Sequence, residues 1–119
     1  MIVDDDINLI ELISYNLKKV DQTLEIFTAL EPLAALKILK EKRIDCIVSD
    51  FFLPGMNGIQ FCKEVNYFLN IPFILYSGRE SDDVIETSCI DDYVHKEPNL
   101  VHYTILAKKI KGVSEKIWK

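Results

Sequence analysis

The sequence predicts an α/β domain built on a parallel sheet. Three observations carry that prediction. Strand-like apolar runs alternate with stretches of helical period along the whole chain. Two of the runs, Ile44 to Ser49 and Phe73 to Tyr76, are almost wholly apolar, as strands covered on both faces must be. Polar residues follow the runs directly, where open parallel sheets hold their ligand crevice.

The elements follow in order. Ile2-Val3 is a short first strand. Ile7 to Val20 has Ile10, Ile13, Leu17 and Val20 on one helical face, and Asp6 is placed to cap it. Leu24 to Ala29 is the second strand. Pro32 suits a first helical position, with Leu33, Leu36 and Leu39 behind it. Ile44 to Ser49 is the third strand, and Gly58 to Leu69 a helix carrying Cys62, Val65 and Leu69. Phe73 to Tyr76 is the fourth strand. Arg79 to Asp92 has little apolar periodicity, which predicts one or two helical turns, capped by Ser81 or Asp82. Tyr93 to His95 is the fifth strand. From about Asn99 to Trp118, Tyr103, Leu106, Ile110, Val113 and Ile117 recur at helical spacing.

The chain of 119 residues reads as one domain, 1–119. It is 49% apolar and 28% charged, enough to bury a core without staples. A net charge of -5 argues against bulk attraction to nucleic acid. Five lysines (Lys108, Lys109, Lys111, Lys116, Lys119) against one acid, Glu115, close the chain. They read as a solvated helix end, or as a docking face. No run has the length of a membrane span and no secretory signal opens the chain, so no membrane contact and a cytoplasmic location are expected. Cys46, Cys62 and Cys89 are odd in number and lack metal-ligand spacing, which predicts free thiols in a reducing compartment. Cys89 and His95 are too few for a metal site, and His95 reads as a surface or partly covered strand residue.

The carboxylates need an explanation. Asp4, Asp5 and Asp6 follow the first strand and Asp50 the third; Ser77 and Gly78 follow the fourth and Lys96 the fifth. The crevice rule brings them to one edge. Pro54-Gly55 then turns the chain away, leaving the Asp50 carboxylate reachable. Clustered acids repel, and oxygen-only ligands suit a hard cation such as Mg2+. Asp5 and Asp50 are the expected direct ligands, Asp4 acting partly through water. Ser77 and Lys96 suit phosphate oxygens.

"IVDDD", "SDFFLPGMNG", "PFILYSG" and "DDYVHK" together resemble the receiver domain of two-component response regulators. The likeness covers nearly the whole chain, and its wording is most similar to receivers of archaeal multidomain sensor proteins. The resemblance implies a flavodoxin-like doubly wound sheet of order 2-1-3-4-5 with helices on both faces, and the weak Arg79 to Asp92 periodicity adds a short or irregular fourth helix. It implies that Asp50 takes a phosphoryl group from a histidine kinase's phosphohistidine. Asp4, Asp5, Asp50 and the backbone carbonyl of Phe52 would hold Mg2+. Ser77 and Lys96 would meet the phosphoryl group, and Ser77 with Tyr93 would form the switch. Such a domain is a signalling phosphoacceptor rather than an enzyme, and its second partner is a downstream output domain or protein. A homodimer is compatible with this.

The sequence departs from the pattern in three ways. It begins almost on the first strand. The Ser77–Lys96 stretch is short, with Cys89-Ile90 where Gly-Ala is usual. Glu97 stands between Lys96 and Pro98, so a cis bond at Lys96-Glu97 is not expected. Two other readings compete. One is a receiver-like docking module without phosphorylation. The other is a small haloacid-dehalogenase-like phosphohydrolase using Asp4 and Asp6, which leaves Asp50-Pro54-Gly55 without a role.

Overall fold

A computed structural model describes residues 1–78, 89–97 and 99–117, the last three of these without their side chains. Its elements run β1 (Ile2–Val3), α1 (Ile7–Val20), β2 (Thr28–Ala29), α2 (Pro32–Glu41), β3 (Ile47–Ser49), α3 (Gly58–Phe68), β4 (Phe73–Ser77), β5 (Asp92–His95) and α4 (Val101–Ile117). All strand pairs are parallel, in the order β2-β1-β3-β4-β5. This is the doubly wound order expected. The helix expected between Ser77 and Lys96, with its Ser81 or Asp82 cap, lies outside the described residues.

Strand period two sorts the core into two layers. Ile2, Val48, Ile74, Tyr76 and Val94 pack with Ile10, Ile13 and Leu17 of α1 and Tyr103, Leu106 and Val113 of α4. Val3, Ile47, Phe73 and Leu75 face the other way, onto Ala35 and Leu39 of α2 and Phe61, Cys62 and Val65 of α3. Neighbouring residues on one strand thus serve opposite faces. That is why β3 and β4 are apolar up to the serines, Ser49 and Ser77, that close them.

Helix starts follow from local chemistry. Asp6 caps α1, accepting the amides of Asn8 at 3.1 Å and Leu9 at 3.2 Å. Asn57 and Gln60 form a reciprocal capping box on α3, each bond 2.8 Å. Among the described residues no peptide bond is cis, Lys96-Glu97 included.

Three expectations need correction. Leu33 is 70% exposed; the inward face of α2 is Pro32, Ala35 and Leu39. Val20 and Leu69 lie at helix ends and are exposed, because the last turn runs past the sheet that the earlier residues cover. The cysteines are not all free thiols. Cys62 and Cys89 are bonded to each other across 27 residues, and only Cys46 is free. The fold brings the two Cα atoms to 6.1 Å, within disulfide reach, which spacing along the chain does not reveal. Of the terminal lysines, Lys109 Nζ meets Asp92 at 2.9 Å and Lys111 Nζ meets Asp21 at 2.9 Å, while Lys108 is exposed and the side chains of Lys116 and Lys119 lie outside the described residues.

Candidate functional site

The sheet ladder itself sets the rim. The Asp4 amide donates to the Ala29 carbonyl at 3.1 Å, Asp50 to Val3 at 3.0 Å, and Lys96 to Ser77 at 2.8 Å. Each bond continues the ladder one residue past a strand end. Asp4, Asp50 and Lys96 therefore reach the same carboxyl-end edge as fixed extensions of β1, β3 and β5.

The side chains then converge. Lys96 Nζ lies 3.0 Å from Asp4 Oδ2 and 3.2 Å from Asp50 Oδ1. Carboxylate oxygens of Asp4, Asp5 and Asp50 all lie within 4.8 Å of one another. Asp4 is buried, Asp50 half-buried and Asp5 exposed. The second Asp4 oxygen accepts the Asp6 amide at 3.0 Å, and Asp50 Oδ1 also accepts the Phe51 amide at 2.9 Å. These bonds hold both carboxylates in place. Burial pushes the Asp50 carboxyl above its ordinary value; Lys96 opposes this and Asp4 adds to it. The ammonium therefore offsets the cost of burial and of the neighbouring Asp4 charge only in part.

Ser77 closes β4 and is buried. Its carbonyl bonds the Lys96 amide, so the two residues are neighbours through the backbone. Phe52 lies two residues beyond Asp50 in the loop to α3, pairing with Asn57 in an isolated antiparallel bridge. Tyr93 is placed differently. It is half-buried on β5, paired with Leu75, and packs on the α2–α3 layer. His95 is partly covered, as expected, with its two ring nitrogens 3.1 Å from Glu97 Oε1 and from the Gly78 carbonyl.

Gly58, the first residue of α3, is pressed against the site. A Cβ there would lie 2.4 Å from the Asp50 carbonyl oxygen. The α3 start is thus a backing wall for Asp50.

Two residues at the site escaped the sequence reading. The Tyr76 ring lies beneath Lys96, with Nζ 5.4 Å from its centroid, within range of a cation–π contact. Its hydroxyl meets His102 Nε2 at 2.5 Å, and His102 Nδ1 lies 2.6 Å from the Asn99 carbonyl. That carbonyl only accepts, so Nδ1 carries the proton and Nε2 is the nitrogen that meets the Tyr76 hydroxyl. The chain Lys96–Tyr76–His102–Asn99 clamps both ends of the loop that bears the lysine. A tyrosine at the end of an apolar strand gave no signal beyond core packing.

The fold and site define a class: a doubly wound domain whose strand ends gather an acidic cluster and a lysine. The chain belongs to the response regulator receiver domain family, whose pattern matches residues 1–104. It is 33% identical over 99 residues to a heme response regulator, HssR, of Staphylococcus aureus, a match covering 81% of this chain and 43% of that protein. The chain thus spans less than half the length of the curated relatives it matches. Among solved structures it resembles the response regulator TrrA of Thermotoga maritima, determined in complex with Mg2+ and beryllium fluoride. That likeness has a TM-score of 0.80 and 26% identity, and covers 94% of this chain and 95% of that one. A chemotaxis response regulator of Vibrio cholerae shares the fold, with a TM-score of 0.78 and 23% identity over 92% of this chain and 94% of that one. The domain is a receiver of two-component signalling. Among the described residues, no helix is long and apolar enough to cross a membrane.

Proposed function

We propose that Asp50 is the phosphoacceptor and takes its phosphoryl group from the phosphohistidine of a histidine kinase. The observation that carries this reading is the joint ion pairing of Lys96 with Asp4 and Asp50, beside Asp5. Of the three acids Asp50 is half-buried, backed by α3 and held by the Phe51 amide, so one of its oxygens is aimed and the other is left for attack. An all-oxygen donor set fits Mg2+, with Asp4, Asp5, Asp50 and the Phe52 carbonyl as its holders. When bound, Mg2+ neutralises charge between the carboxylate and the incoming phosphoryl oxygens.

The residues of the chain do the rest. Asp50 forms the new O–P bond as the bond to the donor imidazole breaks. Lys96 leaves the two carboxylates to pair with the transferred group. Ser77 meets a second phosphoryl oxygen with its hydroxyl. Its displacement lets Tyr93 turn inward and changes the surface around β5, a two-state switch biased by one modification.

The domain acts as a signalling phosphoacceptor that catalyses only its own phosphorylation and dephosphorylation, in the cytoplasm. It spans 1–119 and passes its state to an output domain or protein. Neither nucleic acid nor membrane is a partner of this domain; pairing of two receivers is compatible with it.

Acetyl phosphate with Mg2+ tests the reading by intact mass. One phosphoryl addition is expected, absent without Mg2+ and absent in Asp50→Asn. Addition that persists in Asp50→Asn rejects the acceptor. No addition to folded, metal-binding protein favours a docking module.

A further inference from the structure

We propose that Cys62 and Cys89 form a reversible redox site, closed by exchange with a small disulfide of the glutathione class, and that closure restrains the strand carrying Tyr93. The bridge joins two parts of the signalling apparatus. Cys62 stands in the second turn of α3, the helix whose first residue presses on the Asp50 carbonyl. Cys89 lies three residues before β5, and Cys89, Ile90 and Tyr93 all pack on the core layer that contains Cys62. Asn66, one turn beyond Cys62, donates Nδ2 to Cys89 Sγ at 3.1 Å, so one face of α3 receives the loop sulfur. Asp91 is already tied to β4, its amide to the Phe73 carbonyl and its Oδ2 to the Phe73 amide, both at 2.8 Å. The disulfide adds an anchor on the helix side of the same short stretch. With it closed, β5 cannot shift relative to α3 without moving Asp50's backing wall.

The chemistry suits a sensor. Disulfides in reducing compartments are mostly catalytic or redox-sensing rather than structural. Cys89 is half-buried and Cys62 buried, so Cys89 meets the oxidant first. Its thiolate attacks one sulfur of glutathione disulfide, whose S–S bond breaks and releases one glutathione thiolate. The Cys62 thiolate then attacks the Cys89 sulfur of the mixed disulfide and expels the second. Two protein thiols are oxidised, one glutathione disulfide is reduced, and the two protons end on the released thiols. Cys46 does not compete. It is buried, and burial pushes its thiol up to about 12, so it stays protonated.

The effect on signalling rests on Asp50 being the phosphoacceptor; the tether itself does not. The test equilibrates the folded chain in glutathione buffers of graded redox ratio. Intact mass after thiol alkylation reports closure, amide exchange reports β5, and acetyl phosphate with Mg2+ reports phosphorylation rate. The pair is expected to close reversibly. The closed form should exchange its β5 amides more slowly and take the phosphoryl group about fivefold more slowly. A Cys62→Ser/Cys89→Ser variant should behave as the open form at every ratio. Failure to close in folded protein overturns the proposal, as does equal β5 exchange in both states, or phosphorylation that proceeds at the same rate in both. If neither state is phosphorylated while β5 exchange still follows the buffer, the phosphoacceptor reading fails and the tether stands.

Discussion

Replacing Gly58 by alanine drives a methyl group into the tightest contact of the site. The added carbon would lie 2.4 Å from the Asp50 carbonyl oxygen, 2.9 Å from Leu75 Cδ1 and 3.1 Å from Phe51 Cα. Carbon contacts are optimal from about 3.5 Å, so the first clash needs about 1 Å of relief. Leu75 can yield by rotating its side chain. Asp50 and Phe51 cannot: the Asp50 amide is bonded to the Val3 carbonyl at 3.0 Å, and the Phe51 carbonyl to the Gly58 amide at 2.5 Å. Overpacking costs about 1–3 kcal/mol, and two of the three contacts here are backbone, which favours the upper half. Alanine in a helix returns at most about 1 kcal/mol over glycine. The net is about 2 kcal/mol of destabilisation, which lowers Tm by about 8 °C for a domain of this size. Shifting the Asp50 backbone also misplaces the attacking oxygen, and a misplacement near 1 Å costs up to about 100-fold in rate. Calorimetry and acetyl phosphate kinetics on the same protein check both effects. A variant that melts with the wild type and is phosphorylated at its rate would refute the claim that α3 backs Asp50.

Other substitutions probe separate parts of the argument. Gly112 lies on α4, and a Cβ there would meet nothing within 4 Å; Gly112→Ala should therefore stabilise by about 0.5–1 kcal/mol, read by urea unfolding, and leave phosphorylation alone. Tyr76→Leu removes the ring under Lys96 and should slow phosphorylation about fivefold, whereas Tyr76→Phe keeps most of the rate. In a Lys96→Ala background Tyr76→Leu should change nothing more, and additive losses would mean that the ring does not act through the lysine. The Asp50 carboxyl, raised by burial, keeps its proton to higher pH in the folded chain than in the unfolded one. Its contribution to stability therefore falls as pH rises from the unfolded value, about 3.9, through the folded one. Metal-free Asp50→Asn should be more stable than wild type above that window and equal to it below, and a variant less stable at neutral pH would contradict this balance.

Elements buried on both faces left the clearest trace in the sequence. Before their closing serines, β3 and β4 need apolar residues at each position because their alternate side chains fill different layers, so the strands read directly. The position of Asp4, Asp50 and Lys96 at one rim followed from the same parallel arrangement, because each stands at the end of a strand. The helix faces read less well. In α2 three leucines at helical spacing suggested the inner face, yet of these only Leu39 is buried, and Ala35, a residue that periodicity of large apolar side chains passes over, has no exposure. The Cys62–Cys89 bond and the Tyr76–His102 bond join residues 27 and 26 positions apart. Neither pairing has a local signature. Each exists only because parallel crossovers place α3 beside the start of β5 and α4 beside the end of β4.

The charge balance of the pocket ties these pieces together. Three carboxylates and one ammonium leave two negative charges at a partly buried rim. Lys96 already touches both Asp4 and Asp50. Burial, with the Asp4 charge added to it, keeps the Asp50 carboxyl above its ordinary value despite the lysine. One divalent cation held by Asp4, Asp5 and Asp50 would carry the missing charge. The Tyr76 ring gives the ammonium a resting surface that does not depend on either carboxylate, so Lys96 can give up both and still stay at the rim. A lysine held only by its acids would be lost to solvent when they changed partners. A lysine resting on a ring clamped through His102 remains where a transferred phosphoryl group would need it.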